Sequence, residues 1–191
     1  NLTALPDNDL GQMALLDLNK YKIDTSSILL YKNKRLGIIF IELGANQRPS
    51  KVLYDRKQSA FFDCKFEKKY FRNAMSCSKW FHWSGITPGT SRGGIQNITN
   101  ALEVAKEMKI TVSCDLNHRG NLWDFGVSPK EIMPKLLSSA NVIIGNEEDA
   151  MLMLDLCLKD GNTNNAIKLE KYKDICNEIL KKYPNCEIVA F

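Results

Sequence analysis

The sequence predicts an α/β fold: a parallel sheet with helices on both faces, a small β meander beside it, and an incomplete edge at each end of the chain. Three observations predict it. From Ser78 onward, short β-branched runs alternate with segments of helical period, as strands buried on both faces and joined by crossover helices do. Between residues 27 and 56, strand-like runs follow one another with only short joins, which makes antiparallel pairing the default. The chain starts at Asn1 rather than Met and stops within the apolar run Ile188-Val189-Ala190-Phe191, where a strand normally continues to a turn signal.

Taken in order, residues 7–21 set Leu10, Met13, Ala14, Leu15 and Leu18 at helical spacing behind Asp7 as N-cap. Strands are predicted over 27–31, 35–42 and 51–56, with Asn33 marking the first join and Gly44-Ala45-Asn46 with Pro49 the second. A strand over 79–83 leads through Gly85 and Pro88-Gly89 into a helix over 94–108, whose apolar stripe is Ile95, Ile98, Ala101, Leu102 and Ala105. A strand over 110–115 and a helix over 129–137, opened by Ser128 and Pro129, come next. They precede a strand over 141–144, a helix over 147–158, a polar loop over 160–165, a helix over 169–182 and a last strand over 187–191. The expected division is a helical segment of the core at 1–26, the β meander at 27–60 and a partial α/β core at 61–191.

Composition narrows the function classes. With 191 residues, 44% of them hydrophobic, the chain is long enough for a substantial core. No apolar run approaches the roughly 20 residues that cross a bilayer, and no signal-peptide pattern opens the chain, so no membrane partner is expected. The net charge of +4 comes from interspersed Lys and Glu without a basic stripe carrying aromatics, which argues against a nucleic-acid partner. Cys64, Cys77, Cys114, Cys157, Cys176 and Cys186 contain no C-x-x-C pair, and His82 and His118 are the only histidines. Free thiols in a reducing, cytoplasmic compartment are therefore expected rather than a disulfide scaffold or a zinc site. Asn97-Ile98-Thr99 reads as a chance match to the glycosylation tripeptide.

Ligands of an open parallel sheet bind beyond the carboxyl ends of its strands, so polar groups there carry extra weight. The run Ser84-Gly85-Ile86-Thr87-Pro88-Gly89-Thr90-Ser91 either lets a ligand approach the backbone or is an ordinary connection. In Asp115-Leu116-Asn117-His118-Arg119, a continuing extended run would put Asp115, Asn117 and Arg119 on one side. The guanidinium then suits phosphate or carboxylate; the alternative is an internal Asp–Arg pair that pins the loop. His118 faces the other way in this scheme and reads as a surface or satisfied side chain. Gly145-Asn146-Glu147-Glu148-Asp149 reads as a helix N-cap followed by acids that complement the dipole, or in addition as an Asn and an acid that order Mg²⁺-bound water near phosphates. On the meander, Tyr54 and Arg56 share a face, an aromatic and a cation that suit a sugar acid or a solvated edge.

Five segments in order carry a resemblance: Arg35-Leu36-Gly37; Gln47-Arg48-Pro49-Ser50-Lys51-Val52-Leu53-Tyr54-Asp55-Arg56; Trp80-Phe81-His82-Trp83-Ser84-Gly85-Ile86-Thr87-Pro88; Asp115-Leu116-Asn117-His118-Arg119-Gly120-Asn121-Leu122-Trp123; and Gly145-Asn146-Glu147-Glu148-Asp149-Ala150. From about Thr3 to Phe191 the chain resembles the 2-keto-3-deoxygluconate kinases of the ribokinase, or PfkB-type, family. The resemblance implies a ribokinase-like fold, a Rossmann-like core with the meander as a β lid. It also implies ATP-dependent phosphorylation of 2-keto-3-deoxygluconate at its terminal hydroxyl to the 6-phosphate, with Mg²⁺ as cofactor. By this resemblance Tyr54 and Arg56 hold the substrate, Asn117 and Arg119 lie near the ATP phosphates, and Asn146 is the Asn of an N-x-x-E element that organises Mg²⁺ and phosphate.

The sequence also departs from the family pattern. The acid of N-x-x-E falls on Asp149, so Asp149 or Glu148 is expected to serve the metal through water. Ile39 stands where the family often has a lid tyrosine. The catalytic Asp base, in a G-A-G-D element, is expected beyond Phe191, so this segment is expected to bind without turning over. Rival readings are another sugar kinase of the family, such as a fructokinase, and a sugar-binding fragment without catalysis. A nicotinamide-binding enzyme lacks support, since no G-x-G-x-x-G follows a strand. The expected partners are a sugar acid, ATP and a second copy of the chain, paired through exposed lid edges.

Overall fold

A computed structural model describes residues 1–154, 156 and 169–191. The chain divides into two compact units, Asn1–Lys65 and Phe66–Phe191.

In the first unit, β1 (Ala4–Pro6), α1 (Asp9–Lys20) and β2 (Leu29–Tyr31) form a βαβ crossover, with Ala4 opposite Leu29 in parallel register. Parallel neighbours need such a crossover, which is why the strand at 29–31 pairs with β1 rather than joining a three-stranded meander. The N-cap of α1 is Asn8, not Asp7: its side chain accepts the Gly11 N–H at 3.2 Å. Gly11 is the buried residue of this helix, pressed on β1 so tightly that a Cβ would lie 1.8 Å from the Pro6 carbonyl oxygen. The helical apolar stripe is therefore only partly used; Leu10 and Met13 are exposed, while Ala14, Leu15 and Leu18 are half-buried.

The meander proper is a two-stranded antiparallel ribbon, β3 (Ile38–Glu42) and β4 (Lys51–Asp55), in which Ile39 faces Tyr54 and Phe40 faces Leu53. Ion pairs close both ends: Arg35 with Asp55 at one, Arg48 with Glu42 at the other. A short helix, α2 (Ala60–Asp63), capped by the Ser59 hydroxyl, ends the unit.

The second unit opens with α3 (Lys68–Ala74), which the sequence reading did not distinguish. Then follow β5 (Trp80–Ser84), α4 (Ile86–Thr90), α5 (Arg92–Glu107), β6 (Thr111–Asp115), α6 (Pro129–Leu137), β7 (Val142–Ile144), α7 (Glu147–Met153), α8 (Leu169–Lys182) and β8 (Ile188–Ala190). The four strands lie in the order β5-β6-β7-β8, all parallel. Residues 155 and 157–158 of the predicted helix over 147–158, and the predicted loop over 160–165, lie outside the described residues. Helix α4 packs on β5, α5 on β6 and α8 on β8, while α3 and α6 pack on α5. Alternation along the strands buries Trp83, Val112, Cys114 and Ile143 on one sheet face. On the other face, the Trp80 Nε1–H donates to the Ser113 hydroxyl at 2.7 Å.

Helix α5 does more than cover the sheet. Its buried Asn97 accepts the Phe66 N–H at 2.9 Å, and the Asn100 amide donates to the Phe66 carbonyl at 2.9 Å, so both backbone groups of Phe66 are satisfied by one helix. A buried Asn97 is also no glycan acceptor, in keeping with the chance reading of its tripeptide. Among the described residues, no helix is long and apolar enough to cross a membrane. Replacing Asn97 by Ala strips a buried N–H of its acceptor, a change that costs about 1–3 kcal/mol. The expected outcome is a lower urea midpoint at unchanged m-value; an unchanged midpoint contradicts the assignment.

Candidate functional site

The polar residues of the second unit gather where β5, β6 and β7 end. β5 ends at Ser84, whose hydroxyl accepts the Ile86 N–H at 3.3 Å and the Asn117 side-chain amide at 3.2 Å. Next in line, the Gly85 N–H donates to the Asp115 carbonyl at 2.9 Å, and a Cβ on Gly85 would sit 2.0 Å from the Leu116 carbonyl oxygen. The small residues of 84–91 are thus spent on packing: they build α4, with Pro88, Gly89 and Thr90 buried.

β6 ends at Asp115, and Leu116 is fully buried with its N–H on the Ile144 carbonyl at 2.8 Å. Asn117 then adopts φ +44°, which ends the extended run, so the period-two rule does not carry past it. Asn117 turns to Ser84, whereas the Arg119 guanidinium lies exposed and donates to the His118 carbonyl at 2.7 Å. His118 is half-buried, and its backbone N–H hydrogen-bonds to the Asp149 carboxylate.

β7 passes through Gly145 to Asn146, the N-cap of α7. The Asn146 side-chain oxygen accepts the Asp149 N–H at 2.7 Å, and its amide donates back to the Asp149 carboxylate at 3.2 Å. This is a capping-box variant whose acid also holds the neighbouring loop. Asp149 is only 8% exposed. Burial pushes its carboxyl above the ordinary carboxylate value; the His118 N–H and the charges of His118 and Arg119 pull the other way, and Asp115 adds to the rise. Glu147 hydrogen-bonds to Tyr172 of α8, while Glu148 points into solvent.

In the first unit, the Arg56 guanidinium lies 4.1 Å from the centroid of the Tyr54 ring, a cation–π pair at the end of β4. Ile39, half exposed, stands directly across the ribbon from Tyr54. Asp55 points the other way and is held by Arg35.

Among the described residues, no three His, Cys, Asp or Glu side chains group closely enough to hold a metal ion by themselves. The oxygens present suit Mg²⁺ only in its usual manner, bound to phosphates and waters with a carboxylate nearby. Sequence reasoning missed the Asp149 contact with His118, the Ser84–Asn117 bond and the α4 helix. An N-cap Asn with an acid three residues on signals the Asn146–Asp149 pair, but not the contact of Asp149 with His118.

Comparison with known proteins agrees with this architecture. The model of the pfkB family of carbohydrate kinases matches residues 1–182. The crystal structure of 2-dehydro-3-deoxygluconokinase from Thermotoga maritima is 35% identical, with a TM-score of 0.84 over 98% of this chain and 56% of that one. A PfkB family carbohydrate kinase from Listeria grayi is 25% identical with a TM-score of 0.80, covering 99% of this chain and 55% of its own. A curated 2-dehydro-3-deoxygalactonokinase from Haloferax volcanii is 27% identical over 155 residues, 81% of this chain and 48% of the relative. The chain belongs to the pfkB family of carbohydrate kinases and has its ribokinase-like fold. It spans about half the length of the relatives it matches.

The raised Asp149 pKa fixes the sign of one pH effect. Its folded value lies above the ordinary 3.8, so the folded chain binds more protons in that window. Asp149's contribution to stability is fully present below the unfolded pKa and declines as pH rises through the folded one. Asp149→Asn removes the titration while keeping an acceptor for the His118 N–H. Thermal unfolding between about pH 3 and about pH 6 is expected to shift steadily in favour of the variant relative to the parent. A difference independent of pH contradicts the buried placement.

Proposed function

We propose that this chain supplies substrate and nucleotide contacts of an ATP-dependent kinase that phosphorylates 2-keto-3-deoxygluconate at its terminal hydroxyl, giving the 6-phosphate. The observation that carries the reading is Arg56 stacked over Tyr54 at the end of β4. An aromatic ring covers the apolar face of a sugar chain, and a guanidinium binds a carboxylate through paired N–H groups. The two relatives named for particular substrates, 2-dehydro-3-deoxygluconokinase and 2-dehydro-3-deoxygalactonokinase, support this choice, since those substrates are sugar acids with the same carboxylate head.

In the second unit, Asn117, Arg119 and Asn146 hold the ATP phosphates. Arg119 is exposed and engaged only with a carbonyl of its own loop in the bonds described, which leaves its guanidinium N–H groups to meet phosphate oxygens. Mg²⁺, when bound with the nucleotide, neutralises charge on the phosphates. Glu148 is the acid better placed to order its waters, because the Asp149 carboxylate is engaged by Asn146 and His118. The base that takes the hydroxyl proton belongs, by family resemblance, to a G-A-G-D element that this sequence does not contain. Turnover is therefore assigned to the full-length polypeptide. Among the described residues, the thiols Cys77, Cys114, Cys176 and Cys186 take part in no disulfide, which supports a cytoplasmic location.

The ribbon's other face supports a homodimer. With Tyr54 and Arg56 on one face, the opposite face presents Ile38, Phe40 and Leu53, of which Phe40 and Leu53 are 54% and 59% exposed. An apolar, two-stranded edge of this kind is stabilised by a second copy of itself.

Two measurements test the reading. In an ATP-coupled assay of the full-length polypeptide, 2-keto-3-deoxygluconate is expected to be preferred over fructose and ribose, and equal rates on all three overturn the proposal. Arg56→Ala is expected to remove a charge-assisted bond worth about 1.5–3 kcal/mol, raising KM for the acid roughly 10- to 100-fold while sparing neutral sugars. For the dimer, Leu53→Lys is expected to shift sedimentation to the monomer; an unchanged sedimentation coefficient excludes this face.

A further inference from the structure

Trp123 occupies its place at a double cost. Its backbone sits at φ +66°, a conformation that bulky side chains rarely adopt. Its indole Nε1–H is buried without a hydrogen-bond partner. Conformations of this kind persist only where the surroundings impose them, and they concentrate where function needs a group held still. The surroundings here are specific. The Trp123 N–H donates to the Gly89 carbonyl at 2.9 Å, and the indole lies so close over Gly89 that a Cβ there would be 2.8 Å from Nε1 and 3.0 Å from Cε2. Phe125 stacks on the ring with centroids 6.2 Å apart.

What is held still lies just upstream. The Leu122 N–H donates to the Arg119 carbonyl at 3.0 Å, which ties Trp123's neighbour to Arg119. At the other end of the loop, buried Leu116 is anchored to Ile144. Asn117 and Arg119 therefore stand between two fixed points, Leu116 in the strand ends and Trp123 on α4. Arg119 is exposed, with one carbonyl bond to its own loop, so its reach depends on the backbone beneath it.

We infer that Trp123, seated on Gly89 of α4, is a positioning residue that fixes the loop between Leu116 and Trp123 so that Asn117 and Arg119 meet the nucleotide phosphates. The inference rests on the proposed contacts of Asn117 and Arg119 and adds the element that sets their geometry. A glycine at position 89 belongs to the same device, because any side chain there displaces the indole.

The test uses the full-length polypeptide with ATP and the sugar acid as separately varied substrates, and Arg119→Ala as the reference. Gly89→Ala and Trp123→Ala are expected to raise KM for ATP at least fivefold, with KM for the sugar acid held within twofold. Trp123→Phe keeps one six-membered aromatic ring but loses the five-membered ring whose Nε1 and Cε2 press on Gly89; it is expected to raise KM for ATP less than Trp123→Ala does, with KM for the sugar acid held within twofold. If Arg119→Ala raises KM for ATP while folded Gly89→Ala and Trp123→Ala do not, the positioning role is overturned and the phosphate contact stands. If Arg119→Ala itself leaves KM for ATP unchanged, the phosphate contact fails and takes the inference with it. Should Trp123→Ala not fold, Gly89→Ala and Trp123→Phe decide the matter by the same comparison.

Discussion

The polar end of the second unit depends on one buried side chain, Leu116. It follows the last residue of β6, is fully buried, and donates its backbone N–H to the carbonyl of Ile144 at the end of β7. The neighbouring strands leave it room because each is followed by a glycine: a Cβ at Gly85 would meet the Leu116 carbonyl, and one at Gly145 would lie 3.0 Å from Leu116 Cδ1. With Leu116 locked, the chain turns at Asn117, and the polar contacts follow. Asn117 reaches Ser84 at the end of β5, while the His118 amide reaches Asp149 in α7. Burial at one position thus sets which polar groups three parallel strands bring together, in the region where open α/β sheets bind ligands.

Asp149 shows how a helix cap and a site can share one residue. As the third residue of α7 it completes a reciprocal bond with Asn146, and it also accepts from the loop beyond β6. Removing it from water raises the cost of its charge; the hydrogen bond from the His118 backbone N–H, and the nearby charges of His118 and Arg119, offset part of that cost. The Asp149 carboxylate is therefore engaged inside the protein, and the outward acid is its neighbour Glu148. A side chain one methylene shorter than Glu suits bracing better than reaching.

Much of this was legible in the sequence, and for identifiable reasons. The helices at 129–137 and 169–182 agree to the residue, because Pro129 fixes one start and strong amphipathic periodicity defines the other. The strands of the second unit agree within one or two residues, since β-branched runs between polar breaks have few alternatives. The strand at 4–6 was not legible: three residues carry no period, and only their pairing with β2 reveals them. That omission made 29–31 look like part of a meander. Helix α4 was hidden because Gly85, Pro88 and Gly89 are loop residues by propensity, and only packing against Leu116 and Trp123 makes them helical. At the site, the shared face of Tyr54 and Arg56 followed from strand alternation, whereas the positive φ of Asn117 left no mark beyond the residue type itself.

The first unit contributes a different kind of chemistry, a cation over an aromatic ring on a ribbon whose two faces are both apolar and exposed. In the proposed function a sugar acid's carboxylate meets Arg56 on this surface, so the charge on the ligand is the property to vary. The most direct measurement is the Kd of the full-length polypeptide for 2-keto-3-deoxygluconate, set beside the Kd for its carboxamide analogue. The account predicts that the carboxamide binds at least tenfold more weakly, as expected for loss of a charge-assisted bond of about 1.5 kcal/mol or more. Equal affinities would contradict it.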